Sequence, residues 1–385
     1  MVSGVRLRIL AISEGESEAI ELECQKWYNQ CISKTTINVE IKYVNFKFSK
    51  EDIVMKEYIG NPLQTRGAEQ YVLQYGKGDG MHFLYIRNGL GLEVWMSLDR
   101  AGDISRVSFK GDNMGYFSPC GYVAPQYYDR EGLGFLKSFT AGFFTTCGLS
   151  TIGAPCVDNG EELPLHGNIS HVPAMLNGIE ESEEGIKVSL TVTDAQIFGK
   201  KYVMKRVYTF SYTENIFSVS DTVTNEGDAA SPYMIMYHCN MGYPLLTEKS
   251  IVKIPNEGVT PRDEEAAKYI DTALNMEKPQ NGYIERCYYY DVKQNNGIAK
   301  VGVFNPDIKK GVIISYDKTT LPCFVEWKMM GKRDYALGLE PANSFPDGRN
   351  ILREKGMLKY LEPNESCVTA VSFHFEDNME QFADL

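Results

Sequence analysis

The sequence predicts a large, mainly β protein built as an antiparallel sandwich, with a small α/β segment at its N-terminus. From about residue 58 onward, short segments of alternating apolar and polar residues follow one another, and turn-forming clusters such as TNEGDAASP and KQNNG separate them. The composition agrees, because 12% of the residues are aromatic and 34 are glycines, which favours strands and turns over helices.

Residues 1–55 have a different pattern and are predicted to form a strand–helix–strand appendage. VRLRILAI alternates as a strand, and TINVEIKYV alternates again as a second strand. Between them, apolar residues spaced by four, three and four positions share one helical face: Ile20, Cys24, Trp27 and Cys31. We interpret this unit as a structural appendage or an oligomer contact.

Residues 56–385 are predicted to form one sandwich domain, because no linker divides them. In IKVSLTVT the apolar side chains at alternate positions face one way, and YVMKRVYTF, IFSVSDTV, GVIISY and CVTAVSFHF continue the pattern. Many strands with little helix favour an antiparallel sandwich over a parallel α/β sheet. One short helix, opened by Asp263, is predicted in PRDEEAAKY.

The charge and cysteine content exclude several classes of partner. A net charge of −12 and the lack of a basic run argue against binding to nucleic acid or an anionic membrane. We expect no signal peptide and no transmembrane helix, since no apolar run is long enough. Nine cysteines without a C-x-x-C pair indicate reduced thiols in a cytoplasmic protein. Homo-oligomerisation is left open.

Two of the five histidines stand in positions suited to chemistry. His238 ends an apolar strand in YHCNMGYP, with Asn240 two residues later, and His166 lies in the tight loop of LHGNIS. A core histidine is the alternative for His238. No phosphate loop, G-x-S-x-G or H-E-x-x-H motif occurs, so no cofactor or metal is expected.

Charged residues near strand ends supply further candidates. Ala336, Gly338 and Glu340 share one face of a strand, where two small residues leave room for a ligand and the carboxylate can act as a general base. A solvated or arginine-paired carboxylate is the alternative for Glu340. Other candidates are the turn residues Arg100 and Asp103, and Glu326 and Lys328 on one face of FVEWKMM, which can pair with each other, with Trp327 opposite.

Five ordered motifs, DRAGDI, TTCGL, LHGNIS, YHCNMGYP and GLEPAN, resemble the aldose 1-epimerase (galactose mutarotase-like) superfamily, and most closely an uncharacterised bacterial branch of it. The similarity covers roughly residues 58–376. It implies a β-supersandwich fold and interconversion of sugar anomers without a cofactor.

The resemblance also implies roles for single residues. Glu340 is the expected base, His238 the acid, and His166 a sugar-binding residue. The remaining expected substrate-binding residues lie near these motifs or on the same strands: Arg100, Asp103, Asn240, Arg262, Glu326, Trp327, Lys328 and Asn343. Asn168 replaces the third residue of the family's H-G-G loop, and the family's substrate-binding aspartate has no clear counterpart.

The expected mechanism places Glu340 and His238 on opposite sides of a sugar, each keeping the other in its charged form. Three alternatives stay open. One is a sugar isomerase or epimerase that acts at another carbon, including on an acidic or phosphorylated sugar. The second is a carbohydrate-binding protein without turnover. The third is a metal enzyme that uses His166, His171, His238 and a glutamate.

Overall fold

A computed structural model describes residues 8–10, 19–21, 57–383 and 385. Residues 1–58 and 59–385 separate into two compact units. In the first unit, strand β1 (Arg8–Leu10) pairs antiparallel with β2 (Ala19–Glu21). The prediction of a helix from Ile20 is therefore wrong at that residue, because backbone pairing with β1 fixes its conformation. Cys24, Trp27, Cys31 and the predicted strand at 37–45 lie outside the described residues.

The first half of the second unit contains fourteen strands within the described range. In chain order they are β3 (Gly67–Val72), β4 (His82–Arg87), β5 (Leu92–Ser97), β6 (Asp103–Phe109), β7 (Asp112–Asn113), β8 (Tyr116–Phe117), β9 (Ala141–Gly142), β10 (Phe144–Leu149), β11 (Cys156–Asp158), β12 (Glu161–Leu163), β13 (Met175–Glu181), β14 (Gly185–Ala195), β15 (Lys201–Ser211) and β16 (Ile216–Asn225).

The second half adds twelve strands and three short α-helices within the same range. They are β17 (Ser231–Pro232), β18 (Met234–Met241), β19 (Ile251–Lys253), β20 (Asn256–Pro261), α1 (Glu264–Ala267), β21 (Arg286–Val292), β22 (Gln294–Asn295), β23 (Ile298–Asn305), β24 (Lys310–Asp317), β25 (Cys323–Met330), β26 (Tyr335–Ala342), α2 (Arg349–Glu354), β27 (Tyr360–Leu361), β28 (Ser366–Glu376) and α3 (Met379–Ala383).

Short 3₁₀ helices occupy several of the connections. They are Pro62–Gln64, Gly76–Gly78, Pro125–Tyr127, Gly134–Lys137, Ile169–His171 and Ile270–Thr272. Helix α1 falls within the predicted PRDEEAAKY segment, and the Asp263 side chain caps it by accepting a hydrogen bond from the backbone N–H of Ala266. No helix in the described part of the chain is long and apolar enough to cross a membrane.

Three antiparallel sheets dominate the architecture. The largest has nine strands in the order β13-β14-β15-β16-β28-β24-β23-β19, with β22 also paired to β23. A six-stranded sheet has the order β10-β18-β26-β25-β21-β20, and a five-stranded sheet has the order β3-β4-β5-β6-β7. This arrangement confirms the predicted antiparallel β-sandwich.

The main hydrophobic core lies between the nine-stranded and six-stranded sheets. Phe373 of β28 stacks on Phe144 of β10 with ring centroids 5.6 Å apart. In β18 the residues that join this core are Ile235, Tyr237, Cys239 and Met241. Because side chains alternate along a strand, the remaining residues of β18, including His238, point to the other face of the six-stranded sheet. We call that side the outer face.

Candidate active site

His238 and Glu340 meet on the outer face, where β18 and β26 are neighbouring strands. The register pairs Met236 with Ala342 and Cys239 with Leu339, which brings the two ends of the strands together. His238 Nδ1 lies 3.2 Å from Glu340 Oε1. The two groups therefore contact each other directly, whereas the sequence predicts that they face each other across a sugar.

Because Gly338 has no side chain, the Glu340 carboxyl group can lie directly above it. A Cβ atom at residue 338 would lie 2.2 Å from Glu340 Oε1 and 2.9 Å from the Trp327 Cβ. The sequence predicts that the small side chains of this strand leave room for a ligand. In the structure, the space above Gly338 is taken by the carboxyl group itself.

Both members of the pair are almost completely buried and have unused hydrogen-bonding capacity. His238 is 4% exposed and Glu340 is 2% exposed. Among the described residues, neither His238 Nδ1 nor Glu340 Oε1 has a hydrogen-bond partner, although the two atoms lie 3.2 Å apart. Buried polar atoms are nearly always hydrogen-bonded, so these two are available to a ligand or to water.

Burial sets the charge of the pair. It lowers the pKa of His238 to about 4. It also raises the pKa of Glu340 well above its usual range, and the nearby Glu285 adds to this effect. Near neutral pH the imidazole is therefore neutral, and the carboxyl group is shifted toward its protonated form. Both shifts run against the expected pair of charges, and desolvation is the largest cause of each.

Three rings surround the His238 imidazole. The centroids of Trp327, Phe139 and His166 lie 5.3, 5.4 and 5.4 Å from it, each in an edge-to-face arrangement. Such contacts hold the imidazole orientation and provide apolar walls. Phe139 does not appear among the sequence predictions, because nothing in the local pattern of LKSFTAG marks it.

His166 is held in a defined tautomer. Its backbone has a φ of 59°, an uncommon value for a residue other than glycine. Its Nδ1 accepts a hydrogen bond of 3.3 Å from the backbone N–H of Gly153, so the ring proton resides on Nε2. Burial and the neighbouring His238 lower the pKa of His166 to about 3. His166 is thus a neutral hydrogen-bond donor beside the pair.

Tyr128 fixes the loop that carries His166. Its hydroxyl group donates a hydrogen bond of 3.0 Å to the carbonyl oxygen of Gly167, and its ring stacks on His171 at 3.7 Å. The ring nitrogens of His171 in turn form hydrogen bonds with the hydroxyl groups of Ser138 and Ser170 at 3.0 and 3.2 Å. His171 therefore supports the loop from behind.

Glu285 links Trp327 to Arg262 at one side of the pair. The Trp327 Nε1–H donates to Glu285 Oε2 at 2.8 Å, and Arg262 Nη1 donates to Glu285 Oε1 at 3.0 Å. Arg262 also pairs with Asp263 at 2.9 Å. Glu285 is missing from the sequence predictions, since it precedes β21 in a segment with no motif.

Asn240 and Asn343 support the strands that carry the pair. The Asn240 amide donates to the carbonyl oxygen of His238 at 2.8 Å, and its Oδ1 has no partner among the described residues. The Asn343 side chain bonds the backbone of Tyr233 and Ile235 at 3.1 and 2.9 Å. Asn343 therefore ties the end of β26 to β18, rather than facing a substrate.

Arg100 and Asp103 are both buried, and partners within the fold hold each of them. Arg100 donates to the carbonyl oxygens of Val123 and Ser138 at 3.1 and 3.0 Å. Asp103 binds Arg206 at 2.7 Å and the Thr146 hydroxyl at 2.6 Å. The substrate-binding role predicted for them is replaced by a structural one, because their partners come from distant strands.

Glu326 and Lys328 point into the main core, on the opposite face of β25 from Trp327. Glu326 accepts a hydrogen bond of 2.8 Å from the Tyr290 hydroxyl, and burial raises its pKa to about 7. Lys328 donates to the carbonyl oxygens of Thr272 and Ala273 at 3.3 and 3.2 Å. Neither residue reaches the outer face, so the prediction that they bind substrate there is wrong.

The described residues form no group of three or more His, Cys, Asp or Glu side chains with the spacing of a metal site. The four residues of the metal-enzyme alternative are thus not assembled as ligands in this part of the chain. The seven cysteines within it are all unpaired thiols.

The sheet arrangement is that of the galactose mutarotase-like proteins. A Klebsiella pneumoniae protein provisionally named as an aldose 1-epimerase is 27% identical, with a TM-score of 0.78 over 82% of this chain and 85% of that one. A galactose mutarotase-like protein from Clostridium acetobutylicum is 14% identical, with a TM-score of 0.60 over 81% and 99%. Galactose 1-epimerase from Lactobacillus acidophilus is 17% identical, with a TM-score of 0.55 over 81% and 99%.

The chain belongs to the family described as Domain of unknown function (DUF4432), whose model matches residues 78–375. The predicted superfamily and its bacterial branch of unknown function are confirmed. None of the curated proteins matches the chain.

Proposed function

We propose that this protein is an aldose 1-epimerase of the mutarotase type, in which His238 and Glu340 transfer the protons. One observation carries the proposal: the two side chains lie 3.2 Å apart and each has a buried polar atom without a partner among the described residues. The Klebsiella relative named above supports the same reaction class.

The distance between the two groups fits the reacting atoms of a pyranose. O1 and the ring oxygen O5 are both bonded to C1 and are therefore close neighbours. Neutral His238 removes the proton from O1–H while protonated Glu340 delivers its proton to O5, and the C1–O5 bond breaks to give the open-chain aldehyde. The imidazolium and carboxylate that result neutralise each other. Each group contributes a factor on the order of 10²–10⁴ to the rate.

Rotation about C1–C2 presents the other face of the aldehyde, and the reverse transfers close the ring. The directions of the two pKa shifts favour Glu340 as the acid and His238 as the base, opposite to the roles that the resemblance implies. The two assignments differ in which group faces O1 and which faces O5. No oxidant, reductant or metal enters the balance.

The surrounding residues suit a sugar. Trp327 and Phe139 supply apolar walls, which match the C–H faces of a pyranose. The Nε2–H of His166 is a hydrogen-bond donor for a sugar hydroxyl group. In this proposal these three residues bind and orient the substrate.

The test is exchange NMR of free aldoses, which measures interconversion of the α and β signals directly. We expect the wild type to accelerate this exchange, and Glu340→Gln and His238→Asn to reduce kcat by a factor on the order of 10²–10⁴. Glu180→Gln and His374→Asn, both on the nine-stranded sheet, are the matched controls and should keep full activity. A wild type that accelerates no aldose, or site variants as active as the controls, would contradict the proposal.

The same spectra separate the alternatives. Anomer exchange in D₂O leaves every carbon-bound hydrogen in place, whereas an isomerase or an epimerase acting through an enediol introduces deuterium at C2. A binding protein without turnover would show sugar affinity with no exchange, and Glu340→Gln would leave that affinity intact.

A further inference from the structure

The His238–Glu340 pair is nearly closed to solvent, so the side chains that cover it control whether water reaches it. The two residues are 4% and 2% exposed. Of the three rings around His238, Phe139 is buried, whereas His166 and Trp327 are partly exposed. The backbone of its own loop holds His166 in place. Trp327 is the covering ring that is held at the protein surface through a polar atom, its indole N–H.

The sheet places Glu285 beside Trp327 on the outer face. Cys287 is the register partner of Trp327 on the neighbouring strand, and Glu285 precedes it by two positions, so all three side chains point to one face. The Trp327 Nε1–H donates to Glu285 Oε2 at 2.8 Å. Arg262 Nη1 donates to the other carboxylate oxygen at 3.0 Å, and the Arg262 backbone N–H donates to the Cys287 carbonyl oxygen at 3.0 Å. Both oxygens of Glu285 are therefore held.

We infer that Glu285 is a positioning residue: its carboxylate holds the Trp327 indole over the His238–Glu340 pair and so keeps water away from the pair. The effect on catalysis rests on the proposed function, whereas the contacts themselves belong to the free protein. Without an acceptor for its N–H, the indole turns toward water to satisfy that group. Water then reaches the pair and hydrates both of its members.

Glu285 also acts on His238 through its charge, and the two effects have opposite signs. Burial lowers the pKa of His238 to about 4 and is the largest cause, while the charge of Glu285 raises this pKa. Removing the charge alone would therefore lower the pKa of His238 further. Removing the contact that keeps the pair dry raises it toward the usual value of 6.5. The direction of the change separates positioning from charge.

The other ionisable groups that face the pair do not change this comparison. Glu340 faces His238 from β26, and burial raises the pKa of its carboxyl group well above the usual range. His166 faces it from its loop and has a pKa of about 3, since it is buried. Arg262, behind Glu285, is cationic throughout. Burial raises the pKa values of the thiols near Glu340, which stay neutral: Cys147, Cys239 and Cys287.

The test is an NMR titration of isotope-labelled histidine, in which His238→Asn assigns one signal among the five histidines. We expect Glu285→Ala to raise the pKa of His238 by about one to two pH units. Glu285→Gln, whose amide oxygen still accepts the indole N–H, should stay within about half a pH unit of the wild type. Glu257→Ala, at an exposed carboxylate of β20, is the matched control and should leave the pKa unchanged.

Trp327→Phe tests whether the effect passes through the indole. Phenylalanine has no N–H for Glu285 to hold, so Glu285→Ala should cause no further rise in the pKa of His238 when it is added to Trp327→Phe. A rise as large as in the wild-type background would mean that Glu285 acts on the pair without Trp327, and the inference would fail.

The pH dependence of sugar exchange provides a second measurement. Because neutral His238 is the base of the proposed reaction, kcat/KM of the wild type should be nearly equal at about pH 5 and about pH 7. In Glu285→Ala the value at the lower pH should fall about threefold to tenfold below the value at the higher pH, and Glu285→Gln should restore it. A ratio that stays near one in Glu285→Ala counts against the inference.

Failure of the inference and failure of the proposed function give different results. A pKa of His238 that falls or stays constant in Glu285→Ala overturns the inference, even where the wild type interconverts anomers normally. An equal rise in Glu257→Ala overturns it as well. If no aldose is interconverted, the proposed function fails, and the NMR titration still decides whether Glu285 keeps the pair dry.

Discussion

Two of the buried polar clusters in this sandwich differ in whether their atoms are satisfied. Around Arg206, all five guanidinium N–H groups donate, and the acceptors include Asp103, Asp221 and Thr146. At His238 and Glu340, two buried polar atoms have no partner among the described residues. The first cluster is complete without a ligand, and the second is not.

This difference separates the two clusters more clearly than residue type does. Asp103 and Glu340 are both buried carboxyl groups that burial drives toward higher pKa values. Arg206 and Thr146 bind the Asp103 carboxyl group, and these contacts offset the free-energy cost of burying it. The Glu340 Oε1 atom has no hydrogen-bond partner among the described residues. This lowers the stability of the fold and leaves the atom free to bind a ligand.

The largest expected effect comes from breaking the complete cluster. Arg206→Met removes the cation between Asp103 and Asp221 and leaves two buried carboxylates unpaired, so the free energy of unfolding should fall by about 3–5 kcal/mol. Urea denaturation measures this change. Lys205→Met, next in sequence but exposed, should stay within about 0.5 kcal/mol of the wild type. Equal stability of the two variants would mean that the Arg206 cluster is not the structural one.

The second prediction concerns the pH dependence of stability. The folded-state pKa of His238 is about 4, below its usual value of 6.5, so the unfolded chain takes up a proton first as pH falls. The wild type should therefore lose on the order of 1–3 kcal/mol relative to His238→Asn between about pH 7 and pH 4. Urea midpoints at both pH values provide the measurement, with His374→Asn as control. If the difference in unfolding free energy between the wild type and His238→Asn is the same at both pH values, His238 is not kept neutral by burial.

A third, smaller effect has the opposite sign. Because the folded-state pKa of Glu340 is raised, the wild type loses stability as pH rises above the ordinary carboxyl value of about 4.5 toward the folded-state pKa. Glu340→Gln removes that loss, and it should be more stable than the wild type by about 0.5–2 kcal/mol at neutral pH while inactive. Differential scanning calorimetry at about pH 7 and pH 4.5 tests this, since the gain should shrink in acid. A Gln variant that is less stable at neutral pH would place Glu340 among the structural carboxyl groups.

The sequence predicted the strands well because alternation is a local property. Ile186, Val188, Leu190 and Val192 were expected on one face of a strand, and all four are buried in the core. It also marked both members of the pair through strand ends and motif resemblance. Their roles stay predictions, but their contact is a feature of the fold.

The errors arose where partners are distant in sequence. Nothing near the DRAGDI turn shows that Asp103 is bound by Arg206, since 103 positions separate them. Likewise, desolvation of the His238–Glu340 pair depends on Phe139 and other residues of distant segments, so the charge states could not follow from the two residues alone. The helix prediction for the N-terminal segment failed at Ile20 because strand pairing with β1 determines its conformation.

The smallest expected effect concerns Tyr128, which holds the loop that carries His166. Tyr128→Phe removes one hydrogen bond to the carbonyl oxygen of Gly167 and leaves the stacking on His171 in place. The free energy of unfolding should fall by only about 0.5–1 kcal/mol. Because Gly167 follows His166, the loop loses a restraint, and KM for the sugar should rise severalfold with kcat nearly unchanged. Tyr127→Phe, at an exposed neighbouring hydroxyl, is the matched control. A fall in kcat with constant KM would mean that the His166 loop acts on the proton transfer itself. The loop could then not be described as a binding element distinct from the His238–Glu340 pair.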